Sequence, residues 1–142
     1  MYSDEEAIEE IEKLIKKYDT SDPYKLVEEC DYSIVYAELG TKTWGQMVRS
    51  NRCCTIFINI NLPEHIKKFV IAHELGHCRL HRGHSTPFYR NVCNTSISKK
   101  ERQANVFAIN LLKSEIDSCD SLTNFEVLDY LGLSYEFESY VK

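Results

Sequence analysis

The chain opens with hydrophobic residues spaced three and four positions apart, the repeat of one face of an α-helix. Ser3 and Glu6 stand at the start of this repeat with the spacing of a capping box. We therefore predict an amphipathic helix from Met1 to Tyr18. Asp22 followed by Pro23 is typical of a helix start and predicts a second, short helix. The inward-facing residues expected in the two helices are Ala7, Ile8, Ile11, Leu14, Ile15, Tyr18, Leu26 and Val27.

From Tyr32 to Ile60 the pattern changes to aromatic and β-branched residues, interrupted by glycines and by a Ser-Asn pair. It predicts two or three short antiparallel strands. The last of these strands should run from Cys54 to Ile60, with hydrophobic residues alternating between its faces. One face would carry Ile56, Ile58 and Ile60, and the other Phe57 and Asn59.

Helical spacing returns in the second half of the chain. A long helix should begin at Pro63 and end at Gly83, and another should span Ser98 to Leu112. The residues from Asn124 to Lys142 have the rhythm of two short helices, with Gly132 between them and Ser134 capping the second. The buried residues expected in the two long helices are Ile66, Phe69, Val70, Leu75, Leu80, Ala104, Phe107, Ala108, Leu111 and Leu112.

Composition favours one domain over residues 1–142, because three prolines and five glycines are too few for a long linker. We divide it into N-terminal helices over 1–30, a core over 31–112 and C-terminal helices over 113–142. The net charge of −5 disfavours binding to nucleic acid. The acidic N-terminus and the lack of a long apolar run disfavour membrane insertion and secretion, so a cytoplasmic location with six reduced cysteines is expected.

One of the predicted helices carries His73, Glu74 and His77 in the pattern H-E-x-x-H. Residues four apart are rotated by about 400° and rise by about 6 Å, so the two imidazoles lie side by side and can reach one Zn²⁺ ion. Glu74 is rotated by about 100° from His73, where its carboxylate can take a proton from water at the open position of the metal. The alternative is a chance pair of histidines one turn apart.

A catalytic zinc needs a third protein ligand. Gly83 stands six residues after His77, which excludes a third histidine at that spacing. His81 lies one turn further along the same helix, and one straight helix does not easily wrap three ligands around one ion. His84 could fold back from beyond Gly83.

Glu101 is a better candidate, because a carboxylate on the next helix can approach the ion from a different direction. Asn105, one turn further on, could orient a ligand histidine through a hydrogen bond. However, Ser98 and Glu101 also have the spacing of a capping box. The residues alone therefore leave Glu101 open between a metal ligand and a helix cap.

Two segments, Phe69–His77 (FVIAHELGH) and Glu101–Leu112 (ERQANVFAINLL), resemble the ImmA/IrrE family of zinc metallopeptidases. The resemblance covers Tyr32 to Leu112. It implies that His73, His77 and Glu101 bind zinc and that Glu74 is the catalytic base. The Met-Pro pair that the family usually has after the two leucines is replaced by Lys113-Ser114, and little chain follows for an additional C-terminal domain.

The fold implied by this resemblance is a minimal zincin-like domain of the α+β class. A small, mostly antiparallel sheet would pack on the H-E-x-x-H helix, with further helices at both ends. We identify the strand from Cys54 to Ile60 as the edge that borders the cleft, where an extended substrate could add as one more strand. Phe57 and Asn59 would then be candidate cleft residues.

The function predicted from these features is a cytoplasmic zinc endopeptidase. The resemblance implies a protein substrate, a helix-turn-helix repressor of a prophage or mobile element, and no direct nucleic-acid or membrane partner. The residue that stabilises the oxyanion stays open among His81, His84, Tyr89 and Arg90. One alternative is a non-hydrolytic binding protein, either a repressor clamp or a toxin–antitoxin partner, that retains the zinc. Another is a structural zinc with His84, Cys78 or Cys93 as fourth ligand.

Overall fold

The computed structural model describes residues 2–51, 53–82, 87–89, 98–116 and 121–142. Its helices are α1 (Asp4–Tyr18), α2 (Pro23–Glu29), α3 (Glu64–Leu80), α4 (Lys99–Lys113), α5 (Asn124–Leu131) and a 3₁₀ helix (Tyr135–Tyr140). Its strands are β1 (Ser33–Ala37), β2 (Thr43–Ser50), β3 (Cys53–Asn59) and β4 (Phe88–Tyr89). The predicted α+β fold class is confirmed. None of the described helices combines the length and the apolar character that a bilayer crossing requires.

Both N-terminal helices begin where their caps predict. Ser3 accepts a hydrogen bond from the backbone of Glu6, and the Glu6 side chain accepts one from the backbone of Ser3, which completes the capping box. Asp22 caps α2 by accepting a hydrogen bond from the backbone of Tyr24. Ala7, Leu14, Leu26 and Val27 are buried, as the helical spacing indicates.

The sheet has the order β1-β3-β2-β4, and this order overturns the prediction that Cys54 to Ile60 forms an edge strand. β3 lies in the interior, because β1 pairs with it in parallel on one side and β2 pairs with it antiparallel on the other. β4 pairs antiparallel with β2, so the two edges of the described sheet are β1 and β4. The strand with the most regular hydrophobic alternation therefore takes an interior position, where Ile56 and Ile58 are fully buried.

The end of β3 also differs from the prediction. The strand stops at Asn59, whose side-chain amide donates hydrogen bonds to the carbonyls of Gly40 and Thr43. Asn59 thus fixes the loop between β1 and β2. Ile60 was expected to end the strand on the same face as Ile56 and Ile58, but it lies beyond the strand and is 49% exposed.

The sheet packs on α3 through a close approach at Gly45. A Cβ atom at Gly45 would lie 2.7 Å from Cγ1 of Val70 and 2.8 Å from the carbonyl oxygen of Phe57. Only glycine leaves room for the helix and the strand at this distance. The same side of the sheet supplies Met47, Ile56 and Ile58 to the core beneath α3.

α4 lies at the centre of the molecule, and every residue from Gln103 to Leu112 is buried. It contacts α1, α3 and the C-terminal 3₁₀ helix, which explains why no solvent-facing stripe is present over that stretch. α3 and α4 approach closely at Gly76, where an added Cβ atom would lie 3.0 Å from the ring of Phe107. This close contact brings the H-E-x-x-H residues next to the first turn of α4.

α3 ends at Leu80, three residues before the predicted stop at Gly83, which lies outside the described residues. His81 leaves the helical conformation, with φ −132° and ψ 81°. At the C-terminus, Gly132 ends α5 with φ 72°, and Ser134 caps the following turn through the backbone of Glu136. That last turn is a 3₁₀ helix.

Candidate metal centre

His73 and His77 form one side of the candidate site. Both are fully buried on α3, and their four-residue spacing places the two rings edge to face with centroids 4.7 Å apart. The Nε2 atom of His77 lies 3.1 Å from the Nε2 atom of His73. The two nitrogens therefore face one common point, as the helical geometry predicts.

Glu101 forms the other side, from the first turn of α4. Its backbone N–H donates to the Ser98 hydroxyl at 3.1 Å, which is the helix cap. Its side chain turns toward α3 instead, with Oε1 3.4 Å from Nε2 of His73 and Oε2 2.6 Å from Nε2 of His77. The backbone of Glu101 therefore serves the cap, while its carboxylate contacts the imidazoles.

The spacing of these atoms suits a zinc ion. Ligand atoms about 2.0–2.1 Å from a tetrahedral zinc lie about 3.3 Å from one another. The 3.1 Å between the two Nε2 atoms and the 3.4 Å from Nε2 of His73 to Glu101 are close to that value, whereas the 2.6 Å from Nε2 of His77 to Glu101 is a hydrogen-bond distance. Imidazole nitrogens combined with a carboxylate are also a common ligand set of catalytic zinc.

Glu74 lies beside this set. Its side chain is fully buried, and among the described residues neither carboxylate oxygen has a hydrogen-bond partner. One donor atom from each of His73, Glu74 and His77 lies within 4.8 Å of the others. Burial, followed by the negative charge of Glu101, raises the pKa of Glu74 well above its usual value. A buried carboxyl without a partner is suited to holding a proton or a water molecule at this point.

Nδ1 of His73, the ring nitrogen that does not face Glu101, has a partner on α4. Its Nδ1 atom lies 2.8 Å from Oδ1 of the fully buried Asn105, so the structure brings together the pair that the sequence suggested. On the other side, the ring of Phe88 stacks on the His73 imidazole with centroids 3.7 Å apart and planes 8° apart. β4 thus lies directly against the candidate site.

Nδ1 of His77, the ring nitrogen that does not face Glu101, faces His81. The two Nδ1 atoms lie 2.8 Å apart, and Nε2 of His81 lies 2.6 Å from Oε1 of Gln103. His81 is therefore behind His77, on the side away from Glu101. The four-residue spacing from His77 to His81 could have suggested this contact, whereas no feature of the sequence marks Gln103 or Phe88.

The other candidate residues named from the sequence are not seen at this site in the described parts of the chain. His84, Arg90 and Cys93 lie outside the described residues, as does the side chain of Tyr89. Cys78 is buried, and its thiol hydrogen-bonds the thiol of Cys54 on β3. Cys53 is exposed while Cys54 is buried, so the two adjacent thiols point to opposite faces as expected for a strand.

The comparisons with known proteins agree with this geometry. Residues 28–138 match the peptidase M78 family model, described as IrrE N-terminal-like domain. The chain is similar to Metallopeptidase ImmA of Bacillus subtilis (strain 168), with 32% identity over 130 residues, 89% of this chain and 71% of that protein. It is also similar to Uncharacterized immunity region protein 2 of Bacillus phage phi105, with 38% identity over 102 residues. This second match covers 72% of the chain and 65% of the phage protein. No solved structure matches.

Proposed function

The chain belongs to the peptidase M78 family of IrrE N-terminal-like domains, and on this basis we propose that it is a zinc-dependent endopeptidase acting on a protein substrate. The observation that carries the proposal is the convergence of Nε2 of His73, Nε2 of His77 and the Glu101 carboxylate within 3.4 Å of one another. These three side chains would hold the metal. Zinc fits their nitrogen and oxygen atoms better than a soft ion, which would prefer thiolates.

A zinc ion bound there would act as a Lewis acid on the scissile carbonyl and make the attacking water more acidic. Glu74 would then serve as the general base. Its unpartnered carboxylate takes the proton of the attacking water, and the resulting carboxylic acid returns that proton to the departing amine.

The sheet offers a place for the substrate backbone. β4 is an edge strand of the described sheet, and Phe88 on this strand stacks on His73, so a peptide paired with β4 would pass beside the metal ligands. Main-chain hydrogen bonds along such an edge hold an extended chain without requiring a particular sequence. We therefore propose β4, in place of the interior strand β3, as the border of the cleft.

For the substrate we propose a DNA-binding repressor. The phage relative carries the words immunity region in its name, and the ImmA relative is named a metallopeptidase. The net charge of −5 also suits a partner whose surface is basic, as a DNA-binding surface is. The protein would act in the cytoplasm, where such a repressor is found.

The decisive experiment compares metal content and cleavage in three variants. We expect Glu74→Gln to keep one zinc per chain and to lose at least about 100-fold in the rate of repressor cleavage, since the proton acceptor is gone. His77→Ala should lose both zinc and activity. The matched control is Glu64→Gln, which alters a glutamate on the first turn of the same helix whose side chain is 83% exposed, and it should change neither.

Each alternative predicts a different result in this experiment. A non-hydrolytic repressor clamp or toxin–antitoxin partner would lower repressor activity in cells equally well with Glu74→Gln. A structural zinc would be lost when Cys78 and Cys93 are both changed to serine, whereas the proposed site keeps its metal in that double variant. Stoichiometric zinc in His77→Ala would contradict the proposed ligand set.

A further inference from the structure

Resting on the proposed function, we infer that His81 and Gln103 position the metal ligand His77 by fixing which of its ring nitrogens carries the proton. The hydrogen-bond chain that does so starts at the backbone carbonyl of Ser3, at the N-terminus of α1. It passes through Gln103 on α4 and His81 at the end of α3. It ends on the nitrogen of His77 that faces away from Glu101.

The direction of each hydrogen bond in this series follows from the direction of the first one, between Gln103 and Ser3. A backbone carbonyl can only accept, so the Gln103 side chain must present its NH₂ group to Ser3, with Nε2 2.7 Å from the carbonyl oxygen. The amide oxygen of Gln103 then faces His81, at 2.6 Å from Nε2 of the imidazole. An amide oxygen also only accepts, so Nε2 of His81 carries a proton.

The same logic continues to the metal ligand. With its proton on Nε2, neutral His81 presents a lone pair on Nδ1, and this atom lies 2.8 Å from Nδ1 of His77. His77 must therefore donate from Nδ1. Its Nε2 atom, which faces Nε2 of His73 and lies 2.6 Å from the Glu101 carboxylate, is then the ring nitrogen left for the metal.

Burial protects this chain of hydrogen bonds from competition by water. His81 is 2% exposed and Gln103 is 1% exposed, so little water is available to replace either hydrogen bond. The ring of Tyr2 covers His81 edge to face, with centroids 5.4 Å apart. His73 has the corresponding arrangement in a shorter form, because its Nδ1 contacts Asn105 directly.

The test measures the protonated nitrogen of His77 in the metal-free protein by long-range proton–nitrogen NMR, and the zinc affinity by competition with a chelating dye. In the wild-type chain we expect Nδ1 of His77 to carry a proton. In Gln103→Leu we expect a mixture that includes molecules with no proton on Nδ1, together with a zinc affinity about tenfold or more lower. His81→Leu should have the same effect on affinity.

The matched control is Asn110→Leu. Asn110 is also a buried carboxamide on α4, and it also binds a terminal segment, donating to the carbonyl of Tyr140 at 2.8 Å. Its loss should lower stability without changing zinc affinity, whereas a merely structural role for Gln103 would give the same result in both variants.

Two results would overturn the inference. One is a wild-type His77 with no proton on Nδ1 in the metal-free protein, which needs no variant to fold. The other is wild-type zinc affinity in Gln103→Leu with an unchanged His77 tautomer. A wild-type chain that binds no zinc would instead overturn the proposed function, and the tautomer measurement would still decide whether Gln103 and His81 act on His77.

Discussion

At the scale of single residues, Glu101 uses two parts of its structure for two purposes. The backbone N–H completes the cap of α4 with Ser98, and the carboxylate reaches the two imidazoles. The cap thereby fixes the turn that carries the proposed ligand. A cap and a ligand at one position are compatible because they use different atoms of Glu101.

Removal of this cap should therefore affect both stability and metal binding. We expect Ser98→Ala to lower the free energy of unfolding by about 1 kcal/mol and to weaken zinc binding several-fold, because the first turn of α4 frays. Urea titration and dye competition measure the two effects. Thr123→Ala is the matched control, since Thr123 caps α5 through the backbone of Glu126 in the same way. It should lower stability alone, and equal zinc affinities in the two variants would contradict the coupling.

Gly76 has a comparable role at the contact between α3 and α4. In an exposed helix, Gly→Ala stabilises by up to about 1 kcal/mol. Here the new methyl group would lie 3.0 Å from Phe107, which is fully buried and has little room to move. We expect Gly76→Ala to lower the free energy of unfolding by about 1–3 kcal/mol and to weaken zinc binding, because α4 is pushed away from the imidazoles. A higher free energy of unfolding in urea titration would contradict this prediction and show that Phe107 can move aside.

At the scale of elements, the helices can be predicted from the sequence and the strand order cannot. Caps and helical spacing are local features, so the starts of α1, α2 and α4 follow from residues such as Ser3 and Asp22. The pairing of β1 with β3 depends on contacts between separated segments. No residue of β1 indicates that it pairs in parallel, and β3 was consequently misplaced at an edge.

The contacts of the candidate site likewise divide into those that the sequence predicts and those that it does not. The approach of His73 and His77 follows from their spacing on one helix. The position of Glu101 and Asn105 on the next helix made both candidates, and the resemblance implied the ligand role of Glu101. The packing of Phe88 on His73 depends on where β4 joins the sheet, and the contact of Gln103 with Ser3 depends on how α1 lies against α4. Such contacts are set by tertiary packing, which single-sequence patterns do not contain.

At the scale of the whole molecule, one carboxylate connects the two ends of the chain. Asp4 at the start of α1 lies 3.1 Å from both Arg102 on α4 and the C-terminal residue Lys142. Partial burial opposes ionisation of Asp4, but its interactions with Lys142 and Arg102 outweigh this and lower its pKa. The protein therefore gains stability from ionised Asp4.

This arrangement predicts a pH dependence of stability. Since the pKa of Asp4 is lower in the folded state, its contribution is present above the unfolded pKa, near 4, and is lost as the pH falls through the folded value. In metal-free protein we expect Asp4→Asn to lower stability at pH 7 by up to about 1 kcal/mol, because the side chain is 31% exposed. Urea titrations of the variant and the wild type should converge below about pH 3.

Asp19→Asn supplies the control for this prediction. Asp19 ends α1 with φ 55°, a left-handed conformation that asparagine adopts readily, and it has no ion-pair partner in the described parts of the chain. Its replacement should leave the pH dependence unchanged. A constant difference between Asp4→Asn and wild type from pH 3 to pH 7 would show that the carboxylate charge contributes nothing.

The position of the proposed ligands on two separate helices has a consequence for the fate of the whole chain. An ion held by α3 and α4 together binds the folded form, since the unfolded chain does not bring His77 to Glu101. Thermodynamic linkage then adds about 2.7 kcal/mol to folding when free zinc is 100 times its dissociation constant. Cellular proteases degrade unfolded chains, so metal starvation would shrink the population of intact molecules. Zinc supply would in this way control the amount of the protein as well as its catalytic activity.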